Sequence, residues 1–95
     1  MFSARIFLIM DNKKTNLRNQ IDLIDDQISN LLIERFALVK EIGAFKRENN
    51  LPLTDKNREE EVLSKATKNA ETNAEKDAIL AVYKTIIKEC TNVQK

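Results

Sequence analysis

From Leu17 to Phe45 the apolar residues Leu17, Ile21, Ile24, Ile28, Leu31, Leu32, Leu38, Val39, Ile42 and Phe45 recur at spacings of three and four, with no proline among them. That period marks one amphipathic α-helix, because such positions share a face. The run stops at Glu48-Asn49-Asn50-Leu51-Pro52. Two asparagines disfavour continuation there, and Pro52 restricts the residue before it. A helix from Lys14 to about Asn49 would be roughly 50 Å long at ~1.5 Å per residue. An apolar stripe of that length constrains the fold more than any other feature, because something has to cover it.

Two shorter helices follow. The second is expected to start at Thr54 or Asp55, to bury Val62, Leu63 and Ala66, and to fray in Lys68-Asn69-Ala70-Glu71-Thr72. The third opens with Thr72 and Glu75 at the spacing of a capping box and runs through Ile79, Val82, Tyr83, Ile86, Ile87 and Val93. With one glycine, one proline and a third of the residues charged, the chain lacks the turn residues that strands require. The expected class is all-α. Two short helices cannot cover both ends of the long one, and 95 residues bury little surface alone. The plainest symmetric solution lays two long helices antiparallel in an intertwined homodimer. A monomeric coiled-coil arm is the rival, but a sustained heptad would not carry charges on its own seam.

Composition removes much familiar chemistry. One cysteine and no histidine exclude an internal disulfide framework, the common histidine-containing zinc sites and any catalytic pair built on an imidazole base. A single glycine removes the phosphate-cradling loops of nucleotide sites. No metal and no cofactor are expected. Residues 1–50 carry eight basic and seven acidic side chains and residues 51–95 eight of each, so no basic stripe suggests nucleic acid. The opening Met1–Met10 stretch is apolar but too short to span a membrane and lacks a small-residue cleavage site. A cytoplasmic protein with no membrane partner is expected. Met10 begins a more ordinary polar start, so residues 1–9 read as an upstream extension. The expected organisation is an N-terminal extension over 1–11, outside the fold, and a helical domain over 12–95. The alternative packs Ile6, Phe7 and Leu8 on a neighbour.

Several charges lie where a wet face would not put them. Arg35 is three and four residues from Leu31, Leu32, Leu38 and Val39, on the apolar stripe. Lys46 follows about three turns later at nearly the same angle, ~16 Å along the axis. Their long side chains, leaning together, could grip opposite ends of a small anion. A single Arg or Lys on a helix is usually solvated or snorkelling; two on one apolar strip leave both readings open. Arg18 is ~25 Å from Arg35 and about a quarter turn away, so one small ligand cannot touch both from one rod. An antiparallel partner, however, would slide its Arg18 toward that ligand. On the third helix Tyr83, Ile87, Cys90 and Gln94 form a stripe, where a buried Cys is ordinarily a small hydrophobe. In the charge-dense start of the second helix, Asp55, Arg58, Glu59 and Val62 share a face, while Lys56, Asn57, Glu60 and Glu61 turn to water. Capping alone would account for Asp55. It would not account for Arg58 and Glu59 beside Val62.

The combination of Leu17-Arg18, Ile21-Asp22-x-Ile24-Asp25, Leu31-Leu32-x-Glu34-Arg35, Val39-x-x-Ile42-Gly43-x-x-Lys46 and Asp55-x-x-Arg58-Glu59 resembles the all-helical chorismate mutases over nearly all of residues 12–95. The resemblance implies an intertwined dimer with two identical pockets that convert chorismate to prephenate by a Claisen rearrangement in aromatic amino-acid biosynthesis. Arg35 and the partner's Arg18 correspond to the carboxylate-binding arginines, and Lys46 to the cation near the ether oxygen. Asp55, Arg58 and Glu59 correspond to the group that fixes the hydroxyl end, and Gln94 to an amide donor on the ether oxygen. Cys90 stands where relatives often carry serine near a substrate carboxylate. A thiol is a weak donor, so looser binding is expected at that point, not a nucleophilic role.

A unimolecular rearrangement needs no base, nucleophile or metal, which suits a chain without histidine. Clamped carboxylates would hold the reacting carbons together, while Lys46 and Gln94 stabilise the negative charge growing on the ether oxygen. Three rivals stand beside this expectation. One is a lyase on the same scaffold removing pyruvate from isochorismate. Another is a non-catalytic subunit sensing chorismate or prephenate for a pathway synthase, and docking to such a synthase is compatible with the mutase as well. The third is a purely structural coiled coil.

Overall fold

The computed structural model describes residues 4–95, without the side chains of Ile6 and Phe7. Three helices account for it: α1 from Ala4 to Glu48, α2 from Lys56 to Thr67 and α3 from Asn73 to Gln94, with no strand among the described residues. Helix α1 begins ten residues before the expected Lys14. Ala4 to Lys14 holds neither glycine nor proline, and extending a formed helix costs far less than nucleating one. The alternative in which Ile6 and Phe7 pack on a neighbour lies outside the described side chains. Leu8 is exposed.

The end of α1 is built by its backbone. Asn50 adopts φ 56°, the left-handed region, which asparagine tolerates better than other residues with a Cβ. This reversal lets Leu51 N–H donate to the Lys46 carbonyl at 2.8 Å and Asn50 N–H to the Arg47 carbonyl at 3.3 Å. These are the six-to-one and five-to-two bonds of a Schellman turn, which satisfy carbonyls that the helix leaves open. Pro52 then prevents resumption. The Lys46 Nζ donates to the Leu53 carbonyl at 2.9 Å, tying the loop back onto α1.

Helix α2 starts where Asp55, in extended backbone, accepts from Arg58 N–H at 3.1 Å. Its Val62, Leu63 and Ala66 are half-buried, less covered than the sequence suggested. Helix α3 carries the expected capping box: Thr72 Oγ1 accepts from Glu75 N–H at 3.1 Å, and the Glu75 carboxylate accepts from Thr72 N–H at 3.2 Å. Helices α2 and α3 pack on each other.

The chain divides into two units, residues 1–34 and 35–95. In the first, Leu17, Ile21, Ile24 and Ile28 are each about half exposed and Leu31 is 62% exposed. In the second, Gly43, Cys90 and Gln94 are buried, Val39, Tyr83, Ile86 and Ile87 are half-buried, and Leu38, Ile42 and Phe45 stay exposed. Among the described residues no helix is long and apolar enough to cross a membrane.

The turn at Asn50 gives a direct test. Asn50→Ala should lower stability by about 1–2 kcal/mol, the cost of a Cβ in left-handed backbone without a compensating amide. Asn50→Gly should lose nothing, and urea unfolding of the two variants measures the difference.

Candidate functional site

Within residues 35–95 lies a cleft of about 260 Å³, close in size to the smaller ligand pockets of proteins. Three helices supply its polar groups. The last turns of α1 bring Arg35 and Lys46, the start of α2 brings Asp55, Arg58 and Glu59, and the end of α3 brings Cys90 and Gln94. Leu38, Val39, Ile42, Val62 and Ile87 make the apolar wall. Seven of the residues singled out from sequence therefore share one cleft. The eighth, Arg18, belongs to the unit of residues 1–34 and is exposed.

Arg35 and Lys46 are half-buried, and among the described residues neither has a carboxylate partner. Arg35 Nη1 instead donates to Cys90 Sγ at 2.7 Å, a weak acceptor that leaves most of the guanidinium fork unused. Lys46 spends one of its three donors on Leu53. Asp55 is committed to capping α2, while half-buried Glu59 makes no ion pair among the described residues.

Arg58 departs in part from the sequence reading. It lines the cleft, but its guanidinium lies 2.6 Å from Glu61, on the outer face, and is more than half exposed. Glu61 also accepts from Lys65 at 3.0 Å. The hydrogen bond from Lys65, followed by the charges of Lys65 and Arg58, holds the Glu61 carboxyl below the usual carboxylate range. The i,i+3 spacing made that pairing available, and helical angle alone could not show which neighbour Arg58 would choose.

Gln94, 8% exposed, is the buried polar residue of the cleft, and its Oε1 has no hydrogen-bond partner. Buried amides are almost always satisfied, so this oxygen, an acceptor, is an exception within the cleft. Three contributors escaped the sequence reading. Leu53 acts through its carbonyl, which no side-chain pattern reveals. Thr91 lines the cleft, yet its hydroxyl donates back to the Ile87 carbonyl at 3.1 Å. Gly43 packs against Gln94, and the signal was available: an isolated glycine inside a helical pattern ordinarily has a packing reason.

The arrangement suits an organic anion. Two cations without carboxylate partners, a carboxylate without an ion pair and an amide share one cleft with an apolar wall.

Residues 17–95 match the family described as chorismate mutase type II. The chain is 37% identical over 83 residues to the bifunctional chorismate mutase/prephenate dehydratase of Aquifex aeolicus, a match covering 83% of this chain and 23% of that protein. It thus spans under a quarter of that relative's length. It is 28% identical over 87 residues to the chorismate mutase of Methanocaldococcus jannaschii, covering 90% of this chain and 88% of that protein. Among solved structures, a conserved hypothetical protein from Pyrococcus furiosus superposes with a TM-score of 0.74 at 35% identity, covering 87% of this chain and 96% of that one. With the match running from the first heptad of its apolar stripe to its last residue, the chain belongs to the chorismate mutase type II family.

Proposed function

We propose that this chain is a chorismate mutase, an isomerase that converts chorismate to prephenate in the cleft formed by α1, α2 and α3. The observation that carries the reading is the pair of half-buried cations, Arg35 and Lys46, with no carboxylate partner among the described residues. A dianionic substrate supplies the missing charges. Arg35 binds one carboxylate through its unused fork. Lys46 and Gln94 meet the ether oxygen, where charge develops as the C–O bond breaks, and so favour the transition state over the ground state. Glu59 accepts from the ring hydroxyl. Asp55 and Arg58 frame that end, Arg58 turning inward from an exposed pair of a kind that is weak. Cys90 offers a carboxylate less than a hydroxyl would. The rest of the rate comes from holding the enolpyruvyl arm over the ring.

The functional unit in this reading is an antiparallel, intertwined homodimer. The half-exposed stripe of Leu17, Ile21, Ile24, Ile28 and Leu31 supports it, since monomers rarely leave so continuous an apolar surface in water. Arg18 of the partner subunit then completes each cleft. The catalytic domain occupies residues 12–95, and 1–11 form an extension; a family match that begins at residue 17 supports that division. The protein works in the cytoplasm and is able to associate with other enzymes of its pathway, a partnership that the bifunctional Aquifex relative supports by its name.

Purified protein incubated with chorismate should yield prephenate. Pyruvate from isochorismate would instead identify a lyase, and binding without turnover a sensor. Arg35→Ala should lower kcat/KM by roughly 10²–10³-fold, the usual cost of losing a preorganised charged donor; normal turnover by a correctly assembled variant would overturn the clamp.

Mixing tests the shared site. Arg18→Ala and Arg35→Ala homodimers should both be poor enzymes, whereas a mixed dimer has one cleft with both arginines and should regain activity. No recovery on co-refolding would place Arg18 outside the partner's site.

The pH profile is the third expectation. Gln94 carries no titrating proton, and the chain lacks histidine, whose ordinary titration falls between about pH 5 and 8. Across that window kcat should stay flat. A steep rise toward acid would remove Gln94 from the ether oxygen.

A further inference from the structure

Gln94 is the last residue of α3, a position where helices ordinarily fray. It is nevertheless 8% exposed, one of the most covered side chains of the described chain. Two contacts from α1 account for this. Beneath it lies Gly43: a Cβ built there would stand 3.0 Å from both Cβ and Cγ of Gln94 and 3.3 Å from its Cα. Helix α3 can come down on α1 at this point because position 43 has no side chain. On propensity alone alanine would serve α1 better, so the glycine answers a packing demand.

Beside it, the Arg47 guanidinium donates to the main-chain carbonyl of Gln94. That carbonyl is one of those a helix end cannot satisfy internally. Helix α3 has no basic residue in its own last turn, so Arg47 also supplies the cation that the negative end of the helix favours. Lys46 and Arg47 are successive residues, ~100° apart around α1. One points into the cleft and the other grips the end of α3.

We propose that Arg47 and Gly43 are positioning residues for Gln94, fixing where its amide stands relative to Lys46. The inference rests on the reading of Gln94 as a donor to the ether oxygen. Lys46 and Gln94 come from different helices, and Arg47 makes their separation a property of one turn of α1. Neither positioning residue touches substrate. Their effect is on kcat, because a donor displaced by a few tenths of an ångström still admits substrate but meets the developing charge poorly.

Steady-state kinetics on chorismate test this with Arg47→Ala, Arg47→Lys, Gly43→Ala and Gln94→Ala, and with the Arg47→Ala/Gln94→Ala double variant. Arg47→Ala and Gly43→Ala should lower kcat roughly 10- to 100-fold, with KM changed by no more than about twofold. Arg47→Lys, which keeps a donor and a charge, should recover most of the loss. The double variant should be no slower than Gln94→Ala alone, because a residue acting through Gln94 has nothing left to position. Losses that multiply in the double variant, or a normal kcat for Arg47→Ala where Gln94→Ala is impaired, would overturn the positioning role alone. A normal kcat for Gln94→Ala would instead remove Gln94 from the chemistry, and this role with it. Should Gly43→Ala fail to fold, the Arg47 variants and the double variant decide the outcome.

Discussion

The cleft depends on how α1 stops. A helix that simply frayed after Phe45 would leave Lys46 pointing into water and α2 free to begin anywhere. The left-handed Asn50 and the bond from Leu51 to the Lys46 carbonyl reverse the chain within one turn. The Lys46 ammonium then fastens the returning chain at Leu53. Asp55 reaches its capping position as a consequence, and with it the acidic side of the cleft. One residue, Lys46, thus uses its backbone to end a helix and one donor to brace a loop, while it also lines the cleft.

Leaving cations without carboxylates on an apolar strip is costly for a fold. A protein optimised for stability alone would pair Arg35 and Lys46 or replace them by leucine, since partly buried charges contribute little unless their partners are well placed. Sites where charge is held in readiness are where such violations concentrate. The amide oxygen of Gln94, an uncharged acceptor, is also left without a partner. Arg58 shows the contrast: on the outer face it has found Glu61, which takes up its charge.

The apolar stripe of α1 raises the same question on a larger scale. Among the described residues Cys90 is the buried hydrophobic side chain, while Leu17, Ile21, Ile24, Ile28, Leu38, Ile42 and Phe45 remain substantially exposed. At about 25 cal/mol per Å² of apolar surface removed from water, covering such a stripe is worth more than any hydrogen bond described above. The proposed antiparallel partner meets that demand and supplies Arg18 in the same act, joining assembly to catalysis.

Much of this was legible in one dimension. A period of three and four laid out α1, the Thr72 and Glu75 pair announced the start of α3, and Pro52 with its asparagines marked the turn. Helical angle placed Arg35 with Lys46 and Asp55 with Glu59, because position along a rod fixes direction around it. What neighbouring rods would bring to each face was not legible. The approach of Gln94 to Gly43, the grip of Arg47 on the end of α3, the choice of Glu61 by Arg58 and the use of the Leu53 carbonyl all join residues whose partners a single helix cannot reveal. The sequence by itself determined which side chains each helix presents, since periodicity is a local property of the backbone. Only the tertiary structure decided which of them meet, because close packing between helices depends on every side chain at the contact at once.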